Sequence, residues 1–218
     1  MGINTLLSDP LVFILWIVAV LVALTVHEFS HALVATWLGD NTAKRLGRLS
    51  LNPLAHIDWF GLAALVLVSF GWGKPVPFNP YQLKDQKWGP LYIGIAGPIS
   101  NFILVVISGV LLNLLGPVLG GANFLIIFLG LCFLINTALM LFNLIPLPPL
   151  DGSKIVLALM QQPKWYKYRA ALEQYGAWIL MALVLMDILL GVGIIGAVLR
   201  GPYHWIASLF GLNQFFGL

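Results

Sequence analysis

The chain has 218 residues, of which 60% are hydrophobic and 9% are charged, and its mean hydropathy is +0.96. Because soluble domains carry about 25% charged residues, this composition excludes an ordinary soluble protein and indicates an integral membrane protein. The net charge of +3 is modest and the basic residues are spread over several loops, so no nucleic-acid partner is expected.

Four segments are long and apolar enough to cross a hydrocarbon core as helices, which requires about 20 residues. They cover 11 to about 38, about 89 to 115, 122 to about 147 and about 175 to 199. A fifth apolar stretch, 59–72, is too short to cross with ease, and Pro75, Pro77 and Pro80 follow it. We therefore expect this stretch to enter and leave the membrane on the same side, although five or six spans stay open as an alternative.

Basic residues support this topology because they favour the cytoplasmic side of a membrane. They follow the first span, the short stretch and the third full span: Lys44, Arg45, Arg48, Lys74, Lys84, Lys87, Lys154, Lys164, Lys167 and Arg169. With all three groups in the cytoplasm, the N-terminus lies outside and the chain crosses four times. The aromatic-rich segment 202–218 then becomes a predicted interfacial helix on the outer side.

A small β element is also predicted beside the bundle. Residues 47–53 alternate apolar and polar side chains as a strand does, and the prolines after 72 keep the chain extended. The predicted fold class is therefore an all-α membrane protein, a polytopic transmembrane helix bundle of four full spans with a re-entrant loop and a small β element. No repeat or linker divides it, so 1–218 is expected to form a single integral membrane domain.

Three ionisable side chains interrupt the first span. His27 and His31 are four residues apart, so a helix projects both imidazoles from one face, where they can bind one zinc ion. Glu28, beside the first histidine, is placed to act as general base. Each charged residue near a helix centre costs about 2.5 to 3.5 kcal/mol in lipid, which favours a functional cluster over incidental core residues.

A catalytic zinc site needs a third protein ligand. The candidates are His56, Asp58, Asp151, Asp187 and His204, and the depth of Asp151 after the third span matches that of the histidine pair best. Asp151 could instead only cap the helix that follows. The prolines at 146, 148 and 149 break the third span just before it, and Asn143 could donate a hydrogen bond to a developing oxyanion there.

Three motifs together resemble the site-2 protease family of intramembrane zinc metalloproteases: His27-Glu28-Phe29-Ser30-His31, the Asn143 to Gly152 stretch NLIPLPPLDG, and the AGPISN stretch at 96–101. The resemblance implies that His27, His31 and Asp151 bind Zn²⁺ and that Glu28 is the catalytic base. It also implies that Asn143 and Asn101 lie beside the metal to orient substrate or stabilise the oxyanion. Close helix packing with one interhelical hydrogen bond is the alternative for Asn101.

The resemblance implies a multi-pass enzyme of the cell membrane, with its active site toward the cytoplasm, that hydrolyses a peptide bond within or near a transmembrane segment of another membrane protein. Its β element would lie near the active site, its catalytic core would cover about 11–155, and a C-terminal span and interfacial helix would cover 173–218. Membrane lipid is its other expected partner, and the oligomeric state stays open. An ion or metal transporter using the same polar residues is the alternative, but the chain lacks the two matching halves typical of transporters.

Overall fold

The computed structural model of the chain describes residues 9–68, 70–191 and 193–212. Within these ranges the chain forms helices and no β-strand. The helices are α1 Pro10–Trp37, α2 Thr42–Arg45, α3 Trp59–Val68, α4 Gly89–Leu119, α5 Phe124–Asn143, α6 Gly152–Leu159, α7 Tyr166–Leu190 and α8 Ile194–Leu209. In this part of the chain four helices, α1, α4, α5 and α7, are long and apolar enough to cross a membrane, which confirms the predicted polytopic bundle.

The centre of the bundle is formed by α1, α4 and α5, which pack against one another. Helix α1 runs antiparallel to α4, because His27 contacts Asn101 whereas His31, further along α1, contacts Ile93. Small side chains permit close packing, and Ala19 and Ala23 of α1 are completely buried. The C-terminal half of α1, the first turns of α4 and the end of α5 consequently meet at one end of the bundle.

The third and last spans end at other residues than predicted. Helix α5 ends at Asn143 rather than 147, because the prolines that follow cannot continue a helix. The last span was predicted over 175–199, but α7 begins at Tyr166 and ends at Leu190. Its end is set by Gly191, which adopts a left-handed φ of 61°, and by Asp187, whose carboxylate accepts hydrogen bonds from the first backbone N–H groups of α8.

The C-terminal part of the chain is therefore a helix pair rather than one long span. Residues 166–174, which precede the predicted span, form the first turns of α7. Helix α8 includes residues 202–209 of the predicted interfacial helix, packs against α5 and α7, and buries Ile206 and Ala207. Residues 213–218 of that predicted helix lie outside the described residues.

The short apolar stretch forms a hairpin, as its predicted re-entrant course requires. Helix α3 has only 10 residues, and the chain then returns so that Gly73 pairs with Ile57 in a single antiparallel bridge. The returning chain lies so close to α3 that a Cβ at Gly61 would stand 2.0 Å from the Trp72 carbonyl oxygen. Residue 61 must therefore be glycine for this approach.

The bridge between Ile57 and Gly73 is the whole of the predicted β element within the described residues. The strand predicted over 47–53 does not form. The side chain of Asn52 caps a 3₁₀ turn over Pro53–Ala55, and no neighbouring strand pairs with these residues in the described part of the chain. Alternation of apolar and polar residues is not sufficient for a strand without a partner.

The extended segment after the hairpin is attached to the loop that follows α1. Asp40 is completely buried, and its carboxylate accepts hydrogen bonds from the backbone N–H groups of Thr42 at 2.8 Å and Asn79 at 2.6 Å. Arg48 donates to the carbonyl of Lys74, and the N–H of Lys74 donates to the carbonyl of His56 at 2.9 Å. These bonds fix one wall of the cavity described below.

Candidate metal centre

Three buried side chains converge where α1 meets the loop between α5 and α6. The Nε2 atoms of His27 and His31 are 3.1 Å apart, and Oδ2 of Asp151 lies 3.2 Å from the first and 3.1 Å from the second. The two imidazoles meet because residues one helical turn apart share a face. Asp151 reaches them because α5 ends at Asn143 and the chain turns back before α6.

The other nitrogen of each imidazole is held by α4. Nδ1 of His31 lies 2.6 Å from the carbonyl oxygen of Ile93, which can only accept a hydrogen bond. Nδ1 of His27 lies 2.6 Å from Oδ1 of Asn101. These partners assign the proton of each ring to Nδ1, so that both Nε2 lone pairs face Asp151.

The donor set fits a metal ion. Two Nε2 lone pairs and a buried carboxylate oxygen face one another, and Oδ2 of Asp151 has no hydrogen-bond donor in the structure. Such a group of acceptors requires a cation between its members. Tetrahedral zinc with ligands at 2.0 to 2.1 Å separates them by about 3.3 Å, which is close to the observed spacings.

Two further residues hold this arrangement in place. Lys154, on the first turn of α6, donates to Oδ1 of Asp151 at 2.9 Å and leaves Oδ2 facing the histidines. On α4, Gly97 lies against the imidazoles, and a Cβ there would stand 2.5 Å from Cε1 of His27 and 2.5 Å from Nε2 of His31. The contact of Lys154 with Asp151 was missed, although a spacing of three residues at the start of a helix is a signal that the sequence contains.

Glu28 lies beside His27 at the edge of a cavity of about 390 Å³. The three possible metal ligands line the cavity together with mainly apolar side chains, among them Leu24, Phe70, Val76, Phe142 and Leu180. Arg48, buried in the loop after α1, is within electrostatic range of Glu28. Burial lowers the pKa of the Arg48 guanidinium, and the negative charge of Glu28 opposes that shift.

The two predicted asparagines occupy different places. Asn143 lines the cavity, and its Nδ2 donates to the carbonyl of Leu139 at 3.0 Å. Asn101 is completely buried behind His27 and does not line the cavity. A third asparagine, Asn136, contacts Asn101 and was missed, although a polar residue inside an apolar span is a signal that the sequence contains.

The remaining candidates for a third ligand make other contacts in the structure. His56 is completely buried and its Nε2 lies 2.7 Å from the carbonyl oxygen of Ser50. Asp58 caps α3 by accepting from the N–H groups of Phe60 and Gly61. Asp187 caps α8, and the ring of His204 lies against Tyr203. Depth ranked Asp151 first among these candidates, and the structure brings Asp151 to the histidines.

Comparison with known proteins bears directly on this centre. The sequence model of Peptidase family M50 matches residues 119–186. "Putative zinc metalloprotease YwhC" of Bacillus subtilis is 37% identical over 199 residues, which cover 89% of this chain and 90% of the relative. "Putative zinc metalloprotease Rip2" of Mycolicibacterium smegmatis is 34% identical over 80% of this chain and 68% of the relative. No solved structure matches the chain.

Membrane-length helices around a buried group of two histidines and an aspartate define the chain as a helical membrane protein with a candidate metal site. The similar proteins identify the family to which this membrane protein belongs. The chain belongs to Peptidase family M50, and it is an intramembrane zinc metalloprotease with Zn²⁺ as its cofactor. The resemblance found in the sequence motifs is thereby confirmed.

Proposed function

We propose that the enzyme hydrolyses a peptide bond within or near a transmembrane segment of another membrane protein, at a zinc centre formed by His27, His31 and Asp151. The observation that supports this most is the convergence of three buried acceptor atoms at one wall of an apolar cavity. Residues 1–218 then act as one protease domain, with the catalytic core over about 11–155.

Each residue has a chemical role in this proposal. Zinc bound here would supply a Lewis acid that polarises the peptide carbonyl and activates water. Glu28 takes the proton of the attacking water and delivers it to the leaving nitrogen. Asn143, at the cavity wall, orients the substrate or stabilises the oxyanion through its amide. Asn101 acts through His27, because its Oδ1 accepts a hydrogen bond from the Nδ1–H group of that ring.

A transmembrane helix hides its carbonyl groups in hydrogen bonds, so the substrate must become extended before attack. We propose that it pairs with the extended segment around Val76, which lines the cavity. The main chain of Val76 makes no hydrogen bond within the described residues, and the flanking Pro75 and Pro77 have no N–H to donate. An extended peptide can add to such a free backbone as a strand.

We further propose that the protein lies in the cell membrane with this centre on the cytoplasmic side, since basic residues surround that end of the bundle. The chain has one cysteine, Cys132, which is buried, so single cysteines can report orientation. An impermeant maleimide should label Asn123→Cys in intact cells and Lys44→Cys only after permeabilisation. The reverse pattern would contradict the proposed orientation.

The deciding experiment uses purified protein in liposomes with a set of doubly tagged single-span helices. Mass spectrometry locates cleavage, and elemental analysis measures zinc per chain. We expect the wild type to bind one zinc and to cleave at least one helix. Glu28→Gln should keep the zinc and lose roughly 10² to 10⁴-fold in cleavage rate, the contribution of general acid–base catalysis. Cleavage at the wild-type rate by Glu28→Gln would refute the role of Glu28.

A further inference from the structure

Asn136 is completely buried in the middle of α5, where most neighbouring side chains are apolar. Its Oδ1 accepts a hydrogen bond from Nδ2 of Asn101 at 2.7 Å, and its own Nδ2 donates to the carbonyl of Cys132 at 2.8 Å. Through Asn101 it is therefore connected to Nδ1 of His27. A polar side chain at this depth is costly in a membrane helix, so these bonds require an explanation beyond packing.

The carbonyl of Cys132 fixes the direction of each hydrogen bond in the series that runs through Asn136 and Asn101 to His27. The carbonyl of Cys132 can only accept, so it orients the amide of Asn136 with Nδ2 toward the carbonyl and Oδ1 toward Asn101. Oδ1 of Asn136 can only accept as well, so Asn101 turns its Nδ2 toward Asn136 and its Oδ1 toward His27. His27 must then carry its proton on Nδ1.

The opposite orientation of the Asn101 amide would impair metal binding by His27. An NH₂ group facing His27 would favour the tautomer with a proton on Nε2, and that nitrogen could no longer bind a metal. Within the part of the chain that the structure describes, one other group opposes this rotation, the carbonyl of Ala23, at 3.2 Å from Nδ2 of Asn101. Asn136 supplies the shorter of the two bonds.

We propose that Asn136 is a positioning residue that acts through Asn101 to hold His27 in its metal-binding tautomer. This inference rests on the proposed role of His27 as a zinc ligand. It places a determinant of the metal centre on α5, more than one hundred residues along the chain from the histidine that it controls.

Thr137 offers a matched control. It is also completely buried on α5, and its hydroxyl donates to the carbonyl of Phe133 on the same helix at 2.7 Å. Thr137→Val and Asn136→Leu thus each remove a buried polar side chain from adjacent positions. Asn136→Asp is the conservative variant, because a neutral carboxyl group can donate to the carbonyl of Cys132 and accept from Asn101.

The experiment measures the zinc Kd of the purified full chain in detergent by competition with a chromophoric chelator. Unfolding of the zinc-free protein is recorded in parallel. Asn136→Leu should raise the Kd roughly tenfold, the lower end of the effect of losing an outer-shell partner. Thr137→Val and Asn136→Asp should stay within about twofold of the wild type, a margin chosen well below that effect.

The outcomes separate this inference from the proposed function. If Asn136→Leu changes the Kd no more than Thr137→Val does, the positioning role is wrong. If Asn136→Asp folds and loses affinity as Asn136→Leu does, the role is also wrong, because the hydrogen-bond pattern would not be what matters. If Asn136→Asp does not fold, the comparison of the zinc Kd of Asn136→Leu with that of Thr137→Val decides. Failure of the proposed function is seen separately, as equal zinc binding by the wild type and His27→Ala.

Discussion

The space that the two imidazoles occupy exists because residue 97 has no side chain. Gly97→Ala would place a methyl group against both rings, so we expect the zinc Kd to rise roughly tenfold or more, as for other losses of ligand support. Gly116→Ala is the matched control, since a Cβ there, on the same helix, meets nothing within 4 Å. Equal zinc affinity of the two variants, measured by chelator competition, would show that the close approach is unimportant.

Asp40 provides a pH-dependent anchor for the cavity wall. Burial raises the pKa of its carboxyl group, but hydrogen bonds from Thr42 and Asn79 and the charge of Arg45 outweigh burial and lower the pKa below its usual range. Its stabilising effect is therefore complete above the unfolded pKa of about 3.9 and is lost as pH falls through the lower folded value.

The corresponding variant is Asp40→Asn. We expect it to lower the free energy of unfolding by about 1 to 3 kcal/mol at pH 7, because it weakens hydrogen bonds to a charged acceptor. The difference from wild type should shrink as the pH approaches 3, as followed by thermal unfolding in detergent. Asp85→Asn, which alters a half-buried carboxylate in the next loop, is the control. A difference that stays constant with pH would contradict the explanation.

At the same scale, the convergence of the three proposed ligands was easier to predict from the sequence than the contacts that surround them. His27 and His31 were predictable because a spacing of four residues places two side chains on one helix face whatever the tertiary structure. Asp151 could be ranked by depth alone. The contact of Asn101 with His27, rather than with substrate, depends on the rotation of α4 relative to α1. The contact of Asn136 depends on the register of a third helix, and no local pattern encodes either.

At the scale of elements, the hairpin of α3 and its returning segment makes a functional prediction. Val76→Pro removes the one N–H in the Pro75 to Pro77 stretch that could pair with an extended substrate. We expect cleavage of the tagged helices to fall at least tenfold, comparable to losing a backbone bond of about 1.4 kcal/mol. Zinc content should not change, and Val76→Ala, which keeps the N–H, should cleave as the wild type does.

Two outcomes would contradict this prediction. Full cleavage by Val76→Pro would mean that the substrate is held elsewhere, and loss of zinc would mean that the wall had collapsed onto the metal centre. The strand predicted over 47–53 does not form, so the variant is placed at Val76 and not in that segment. That segment alternates apolar and polar residues but has no pairing strand within the described residues, whereas the Ile57 to Gly73 bridge forms where the hairpin closes.

Element boundaries show a second physical limit of sequence patterns. The helices α1, α4 and α5 were predicted within a few residues because polar or proline-rich segments flank them. The boundary between α7 and α8 was missed because apolar residues continue through it. The turn depends on the left-handed glycines at 191 and 193 and on capping by Asp187, which hydropathy does not detect.

For the whole molecule, the proposed metal centre joins α1 to the loop between α5 and α6, which are distant in sequence. Removing zinc with a chelator should therefore lower the free energy of unfolding, by about 2.7 kcal/mol where zinc had been present at 100 times its Kd. His31→Ala lacks a proposed ligand and should show no such decrease. Thermal unfolding that does not respond to the chelator in the wild type would exclude a structural contribution of the metal.

The overall bundle was the most predictable feature of the chain. In lipid every backbone group must be bonded internally, so long apolar segments must be helices, and length with hydropathy gives their number. The way in which the helices surround a polar centre could not be predicted, because that arrangement depends on interhelical contacts rather than on composition.

Helix α4 lies between the two imidazoles and the outer surface of the bundle on one side. One face of this helix supports both imidazoles, while Ile99, Phe102 and Ile103 on its outer face are exposed. A single helix diameter, about 10 Å, thus insulates the charged centre from bilayer hydrocarbon on that side. Dissolved ions screen charges poorly in such surroundings, so the rate of peptide hydrolysis should change little between 0.05 and 0.5 M salt.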